Sequence, residues 1–262
     1  MKRKRISISG HWISYFDNCR EGPTLVCLHG HFGCASMFAF LEAYFPGRLL
    51  LIDLRGHGES DRTPTYTIAD YVADLSAVFA TEGVTQPFIL GHSLGGIVAM
   101  HYAAEHNNCR ALIIEDIGTE VACSNEFIRA IPQEVSSLFE MQQAFRAQGM
   151  EFDAYFMESL RYDGTHWHFR FDHEDMIESQ KQMNGDHWDA WNSLACPSLI
   201  LHGSASWACT TDNLRRMAAA KADSELVIYE GAGHTLRDFD RARYAQEIAR
   251  FIAGQLAADV SG

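Results

Sequence analysis

The residues with the clearest chemical potential lie in the run Gly91-His92-Ser93-Leu94-Gly95. Continuous apolar segments precede and follow this run, which predicts a buried strand, a tight turn and a buried helix. A serine hydroxyl is a weak nucleophile at neutral pH, so it needs a nearby base and a group that stabilises negative charge. A strand-to-helix turn would expose Ser93 and aim the amide of Leu94 at that charge. The pattern G-x-S-x-G in this context therefore predicts a nucleophilic serine.

The elements around this turn follow a repeated strand–helix order. Apolar runs of strand length recur, and continuous runs of this kind are typical of a parallel sheet that is covered on both faces. Helical spacing lies between them, as in the segment that Thr67 would cap. The sequence therefore predicts an α/β fold with a doubly wound, mostly parallel sheet. Two antiparallel strands broken at Ser9-Gly10 are predicted before it. The later strands are predicted at Thr24–Leu28, Arg48–Ile52, Pro87–Leu90, Ala111–Ile114, Ser198–Leu201 and Glu225–Tyr229.

Five polar residues come just after predicted strands: His31, Ser93, Asp116, Ser206 and His234. The carboxyl ends of parallel strands meet at one edge of a sheet, and sites form beyond that edge. We therefore expect these dispersed residues to converge in space.

Four motifs, in this order, resemble those of the α/β-hydrolase fold family over nearly the whole chain. They are His29-Gly30-His31-Phe32-Gly33, Asp53-Leu54-Arg55-Gly56-His57-Gly58-Glu59-Ser60, Gly91-His92-Ser93-Leu94-Gly95-Gly96 and Gly231-Ala232-Gly233-His234. The resemblance implies an eight-stranded sheet with a helical cap insertion. It places the core domain at residues 1–118 and 196–262 and the cap at 119–195. It also implies cleavage of an ester or related carbonyl bond through an acyl-enzyme.

Carried over position by position, the resemblance makes Ser93 the nucleophile and His234 the general base. The oxyanion hole would consist of the backbone amides of His31 and Leu94. Each such donor can contribute about 3 kcal/mol to stabilising the transition state. Haloalkane dehalogenases and epoxide hydrolases of this fold are disfavoured, because they have Asp at the position of Ser93.

The acid of the triad departs from the family's usual place. Many members carry it in a Gly-x-x-Asp turn, which reads Gly203-Ser204-Ala205-Ser206 in this chain. The run Glu115-Asp116-Ile117-Gly118 resembles a subgroup in which the acid follows the strand after the nucleophile helix. Asp116 is the predicted acid and Glu115 the alternative, because neighbours in a strand point to opposite faces. Asp212 follows Thr210-Thr211, where a role at a helix start is predicted instead.

Several residues are candidates for contact with substrate: Phe32 and Cys34 beside the oxyanion loop, together with His92 and Trp207. The cap is rich in aromatic residues that could line an apolar pocket or hold the cap together, and it includes a predicted helix around Val135 to Phe145. Those aromatic residues are Phe127, Phe139, Phe145, Phe152, Tyr155, Phe156, Trp167, Trp188 and Trp191.

Composition narrows the remaining classes. The 262 residues, 47% of them hydrophobic, suit one large α/β domain or a core with an insertion. A net charge of −13 argues against a nucleic-acid partner. The basic start at residues 1–5 precedes no long apolar run and is interpreted as a solvated strand end, so no signal peptide or membrane anchor is predicted. Seven widely spaced cysteines without a Cys-x-x-Cys pair indicate reduced thiols in a cytoplasm.

The spacing of His166, His168 and His173 matches no metal motif, and neither a metal nor an organic cofactor is predicted. The predicted function is a serine hydrolase of carboxylesterase type, acting on a small to medium, partly apolar ester or a lactone. The expected partner is that small-molecule substrate, with neither nucleic acid nor membrane. Alternatives on the same triad are a thioesterase, a carbon–carbon bond hydrolase, an acyltransferase or a small-molecule receptor that turns over slowly.

Overall fold

The computed structural model describes residues 1–261, with side chains through residue 258. Its first half alternates strands and helices much as the sequence predicts. In chain order the elements are β1 (Lys2–Ile8), β2 (His11–Asp17), β3 (Thr24–Leu28), a 3₁₀ helix (Ala35–Ala43), β4 (Arg48–Ile52), α1 (Ile68–Glu82), β5 (Phe88–His92), α2 (Leu94–His106) and β6 (Ala111–Glu115).

The segment predicted to be a cap contains short strands and helices. They are β7 (Glu120–Val121), a 3₁₀ helix (Glu126–Ala130), β8 (Glu134–Val135), α3 (Leu138–Ala147), α4 (Ala154–Glu158), β9 (Leu160–Tyr162), β10 (Trp167–Phe169), α5 (His173–Met183), β11 (Gly185–Asp186) and α6 (Trp188–Asn192). The helix predicted around Val135 starts later, because Val135 pairs with Trp167 and the Ser137 hydroxyl caps α3.

The rest of the chain returns to the strand–helix order. It comprises β12 (Ser198–Gly203), α7 (Thr211–Ala220), β13 (Ser224–Tyr229), α8 (Leu236–Phe239) and α9 (Arg241–Ser261). The Thr210 hydroxyl accepts the Asn213 amide and caps α7, which leaves Asp212 in the first turn of that helix, as predicted.

Eight strands form one sheet in the order β1-β2-β4-β3-β5-β6-β12-β13. The hairpin of β1 and β2 joins β4 antiparallel, and all the other pairings are parallel. The predicted doubly wound, mostly parallel fold is therefore confirmed. The carboxyl ends of β5, β6 and β12 are neighbours, which brings the residues that follow these strands together.

Alternate residues of each strand feed two different cores. In β3, Val26 and Leu28 pack in one core with α1 and α2, while Leu25 and Cys27 pack in the other with α9. All four are fully buried, which explains why the strand is apolar without alternation. A third apolar cluster joins the inserted segment to Phe32, Cys34 and Met37 of the core.

Four of residues 1–5 are exposed at the start of β1, which agrees with the predicted solvated strand end, and the Arg3 and Lys4 side chains also form ion pairs. The Lys4 ammonium lies 2.8 Å from the Asp17 carboxylate and 2.9 Å from that of Glu82, and Arg3 pairs with Asp53 at 2.9 Å. This strand therefore anchors the edge of the sheet. Across residues 1–261, no helix has both the length and the apolar character needed to cross a membrane.

Candidate active site

Ser93 occupies a sharp turn between β5 and α2. Its backbone is left-handed, with φ 51° and ψ −116°, a conformation that costs energy for a residue with a side chain. The turn is fixed by the Ser93 amide, which donates to the Glu115 carbonyl at 3.0 Å, and by the Gly95 amide, which donates to the His29 carbonyl at 3.1 Å. A Cβ on Gly95 would overlap the Leu28 carbonyl, so the close approach of turn and sheet requires glycine there.

Asp116 follows β6, and its carboxylate contacts two histidines. Its Oδ2 accepts from Nδ1 of His234 at 2.7 Å. Its Oδ1 lies 2.8 Å from Nδ1 of His202 and accepts from the Gly203 amide at 2.9 Å. The carboxylate is fully buried, so these donors replace the water that it lost.

These contacts determine the charge and the tautomer at the site. Burial favours the neutral acid, but the hydrogen bonds from His202 and His234 hold the pKa of Asp116 well below its ordinary value. An ionised carboxylate only accepts hydrogen bonds, so Nδ1 of His234 carries the proton. In the neutral ring, Nε2 then has a lone pair that can accept a proton.

Glu115 points away from His234, as strand alternation requires. Its carboxylate accepts from the Tyr244 hydroxyl at 2.6 Å and from the Leu236 amide at 3.2 Å. Burial raises the pKa of Glu115 to about 7. Of the two neighbouring acids, Asp116 is the one that contacts His234.

His202 is a site residue that the sequence analysis did not select. It ends β12 beside Asp116, and its Nε2 lies 2.8 Å from the Thr211 hydroxyl. Ser206, at the family's usual acid position, accepts the Ala208 amide, and its side chain also helps to lower the pKa of Asp116 by hydrogen bonding. The sequence signal that could have revealed His202 is its place directly after the predicted strand Ser198–Leu201.

Ser93 and His234 line the same cavity, of about 550 Å³, which we call the large cavity. Phe32 and Trp207, two of the candidate substrate-contact residues, also line it. The Trp207 ring centroid lies 4.9 Å from that of His234, and two-thirds of Trp207 is exposed. Other walls come from the inserted segment, including Phe127, Met150, Tyr155 and Phe156.

The two predicted oxyanion donors come from different parts of the chain: Leu94 directly follows Ser93, and His31 lies after β3. Leu94 is the first residue of α2, where backbone amides have no partner within the helix. His31 lies in the turn after β3. Within the described chain, neither amide donates to a protein acceptor. Both are therefore available to a substrate oxygen.

His92 and Cys34, two of the predicted substrate contacts, are not among the described residues that line the large cavity. Nε2 of His92 lies 3.0 Å from the His234 carbonyl, so this buried ring supports the backbone of the histidine loop. Cys34 is fully buried, and its sulfur lies 3.0 Å from Nη2 of Arg170. His92 ends β5 and Cys34 lies in the loop after β3, and both side chains are turned inward, a direction that spacing alone does not reveal.

Residues of the segment predicted to be a cap form hydrogen bonds to the loop after β3, which contains His31 and Phe32 and which we call the oxyanion loop. The Tyr155 hydroxyl donates to the His31 carbonyl at 3.0 Å, and the Ser159 hydroxyl donates to the Phe32 carbonyl. The His31 ring lies 2.8 Å from the Ser179 hydroxyl. The sequence analysis considered Tyr155 only as a pocket or cap aromatic.

Asp116, His202 and Cys209 are the one group of potential metal ligands that approach one another among the described residues. His202 and Asp116 already share a hydrogen bond. Burial raises the pKa of the Cys209 thiol well above its ordinary value, which opposes formation of the thiolate ligand. These residues therefore do not fit a metal site. In the described part of the chain, His166, His168 and His173 do not belong to any group of ligand atoms close enough to hold a metal ion.

A model of the alpha/beta hydrolase family matches residues 25–247, which is most of the chain. The chain therefore belongs to the alpha/beta hydrolase family, and the predictions of the family and of an enzyme of the hydrolase class are confirmed at this level.

Relatives and solved structures agree with this membership. The chain is 24% identical over 260 residues to a proline iminopeptidase of Pestalotiopsis fici, covering 88% of this chain and 92% of the relative. It is 38% identical over 96 residues to the 2-succinyl-6-hydroxy-2,4-cyclohexadiene-1-carboxylate synthase of Pectobacterium atrosepticum, covering 36% of this chain and 38% of that protein.

Two solved structures share the fold. The crystal structure of E-2-(acetamidomethylene)succinate hydrolase superposes with a TM-score of 0.84 at 20% identity, covering 96% of this chain and 99% of that one. An esterase from Exiguobacterium antarcticum superposes with a TM-score of 0.75 at 20% identity, covering 94% and 97%.

Proposed function

We propose that this chain is a carboxylic-ester hydrolase that uses Ser93, His234 and Asp116 as its catalytic triad. The observation that carries the proposal is the 2.7 Å contact between Asp116 and Nδ1 of His234, at the wall of a cavity that Ser93 also lines. This arrangement supplies a nucleophile, an imidazole in the required tautomer, and a buried carboxylate that offsets the charge of the imidazolium.

In the proposed reaction, Ser93 Oγ forms a bond to the ester carbonyl carbon while Nε2 of His234 takes its proton. The amides of His31 and Leu94 stabilise the oxyanion. The bond to the alcohol oxygen then breaks, and His234 gives its proton to the leaving alcohol. A water molecule activated by the same imidazole next attacks the acyl carbon, releasing the carboxylic acid and restoring Ser93.

The lining of the large cavity supports a partly apolar, uncharged substrate. Phe32, Phe127 and Phe156 provide much of its apolar surface, and no lysine or arginine is among the described residues that line it. Its acidic members, Glu151 and Asp153, would repel an anion. Burial holds the pKa of His31 well below its ordinary value, so that ring is neutral.

This electrostatic balance argues against the substrates that the names of two similar proteins suggest. A cyclohexadiene carboxylate and a succinate derivative are anions, which proteins commonly bind through arginine or lysine. The large cavity offers neither residue. An uncharged ester avoids this conflict, which is why we prefer it.

Hydrolysis of p-nitrophenyl acetate and p-nitrophenyl butyrate by the wild type and by Ser93→Ala tests the proposal. We expect turnover by the wild type that Ser93→Ala loses, with the melting temperature nearly unchanged because no described side-chain hydrogen bond depends on that hydroxyl. Tight binding of esters with almost no turnover would favour a receptor instead. Activity retained in Ser93→Ala would move the nucleophile elsewhere.

A further inference from the structure

A second, much smaller space meets the large cavity at Ser93. It has a volume of about 20 Å³. Its apolar walls come from α2, the segment after β6, β7 and the end of α5, and we call this space the apolar recess. Five of the apolar residues that line it are Leu94, Ile97, Ile117, Val121 and Met183. Ser93, His31, Gln180 and Trp207 border both spaces.

The two spaces differ in which catalytic groups they contain. His234 lines the large cavity but not the apolar recess. Leu94, one of the two oxyanion donors, lines the apolar recess but not the large cavity. His31, the other donor, borders both. The proton donor His234 therefore faces the large cavity alone, and of the two oxyanion donors only Leu94 faces the apolar recess alone.

This difference between the two spaces indicates how an ester would be oriented at Ser93. The carbonyl carbon bonded to Ser93 carries an oxygen that binds the donor amides, an acyl substituent, and the alcohol oxygen that must receive a proton. Because His234 supplies that proton, the alcohol belongs in the large cavity. The acyl substituent is the remaining group on that carbon, and the apolar recess is the second space that meets Ser93.

We propose that the apolar recess is the acyl subsite and that it restricts the enzyme to acetyl esters of larger, uncharged alcohols. This inference rests on the proposed function and assigns the two halves of its substrate. A space of 20 Å³ accommodates about one water-sized group, which is also the size of a methyl group.

The five apolar residues named above are packed into the core of the protein. All five apolar residues are at most 5% exposed and belong to the same core cluster as α1 and α2. Extra methylene groups would have to displace packed side chains, which close-packed interiors resist. The large cavity, in contrast, has a volume of about 550 Å³. Selection should therefore be strict for the acyl group and loose for the alcohol.

Two ester series test the assignment with the full chain. In the first, p-nitrophenol is kept and the acyl group is acetyl, propionyl, butyryl or hexanoyl. In the second, acetate is kept and the alcohol is ethanol, hexanol or benzyl alcohol. We expect kcat/KM to fall about tenfold or more from acetate to butyrate, as small pockets discriminate added methylenes. Along the second series it should rise or stay level.

Met183→Ala and Val121→Ala enlarge the apolar recess, and Met150→Ala in the large cavity is the matched control. We expect the ratio of kcat/KM for butyrate to that for acetate to rise about tenfold in Met183→Ala and less in Val121→Ala. Met150→Ala should leave that ratio unchanged. The ratio is measured on one preparation, so it does not depend on the folded fraction, and the milder Val121→Ala remains informative if Met183→Ala folds poorly.

The outcomes separate this inference from the proposed function. Ser93-dependent hydrolysis that is fastest with butyrate or hexanoate overturns the acyl assignment and leaves the ester hydrolase standing. The same follows if only Met150→Ala alters the acyl ratio. Absence of Ser93-dependent hydrolysis with every ester overturns the proposed function, and this inference with it.

Discussion

At the scale of single residues, the position of Asp116 determines how the site can work. Its two oxygens have separate partners, His234 on Oδ2 and His202 with the Gly203 amide on Oδ1. The carboxylate is thus held from both sides before His234 acquires charge. A carboxylate fixed in advance stabilises the imidazolium without having to reorganise.

Asp116→Asn and Glu115→Gln form a matched pair of substitutions in adjacent buried acids. Asp116→Asn should lower kcat by about 10⁴-fold, as the equivalent change does in the serine-protease triad, because the histidine loses its required tautomer. Glu115→Gln should retain most activity, because Glu115 contacts Tyr244 and Leu236 instead. Steady-state hydrolysis of p-nitrophenyl acetate measures both, with circular dichroism to verify folding. A larger loss in Glu115→Gln would reverse the assignment of the acid.

Asp116 is the predicted acid because Ser206, at the family's usual position, carries no charge. The sequence could not reveal His202, whose contact with Asp116 depends on two strands being neighbours in space. Nor could it determine the direction of the Cys34 and His92 side chains, since both follow from how the loops turn after β3 and β5. Motifs report residue type and order, whereas orientation depends on the packed structure.

At the scale of elements, α4 and α5 do more than cover the site. Tyr155 and Ser159, at and just after α4, bind carbonyls of the oxyanion loop, and Ser179 of α5 contacts the His31 ring. The amide of His31 is therefore positioned partly by residues that are more than a hundred positions away in sequence. Movement of α4 and α5 would alter the proposed oxyanion hole as well as access to it.

Tyr155→Phe should lower kcat by about fivefold, because a buried hydrogen bond contributes about 1 kcal/mol and its loss lets the His31 amide move. Tyr162→Phe is the matched control. The Tyr162 hydroxyl donates to the Gly164 carbonyl at the surface, and Tyr162 is not among the described residues that line the large cavity. Esterase kinetics on both variants check this expectation. Equal kcat values for Tyr155→Phe and the wild type would mean that the loop holds its position without this contact.

The predicted core elements agree with the structure because each carries its own signal. Thr24–Leu28 and Arg48–Ile52 are strands with the predicted bounds, and Thr67 caps α1 together with Asp70 in a reciprocal capping box. In the inserted segment, strands of two or three residues are too short to show a period. For this reason the sequence predicts a helix at Val135, where the structure has a strand.

At the scale of the whole molecule, the doubly wound sheet brings distant residues together. Ser93 follows β5, Asp116 follows β6 and His234 follows β13, and all lie beyond strand ends at one edge of the sheet. The expected convergence of polar residues is therefore a consequence of topology. The division into a core and a cap at residues 119–195 stays a prediction, although the third apolar cluster is built mainly from that segment.

The central claim is that His234 activates the hydroxyl of Ser93. A fluorophosphonate reacts covalently with activated serines, releasing fluoride, so peptide mass spectrometry after labelling tests this claim most directly. We expect the label on Ser93 in the wild type and a labelling rate lowered by orders of magnitude in His234→Ala. A label on another residue, or a rate at Ser93 that is unaffected by His234→Ala, would contradict the account.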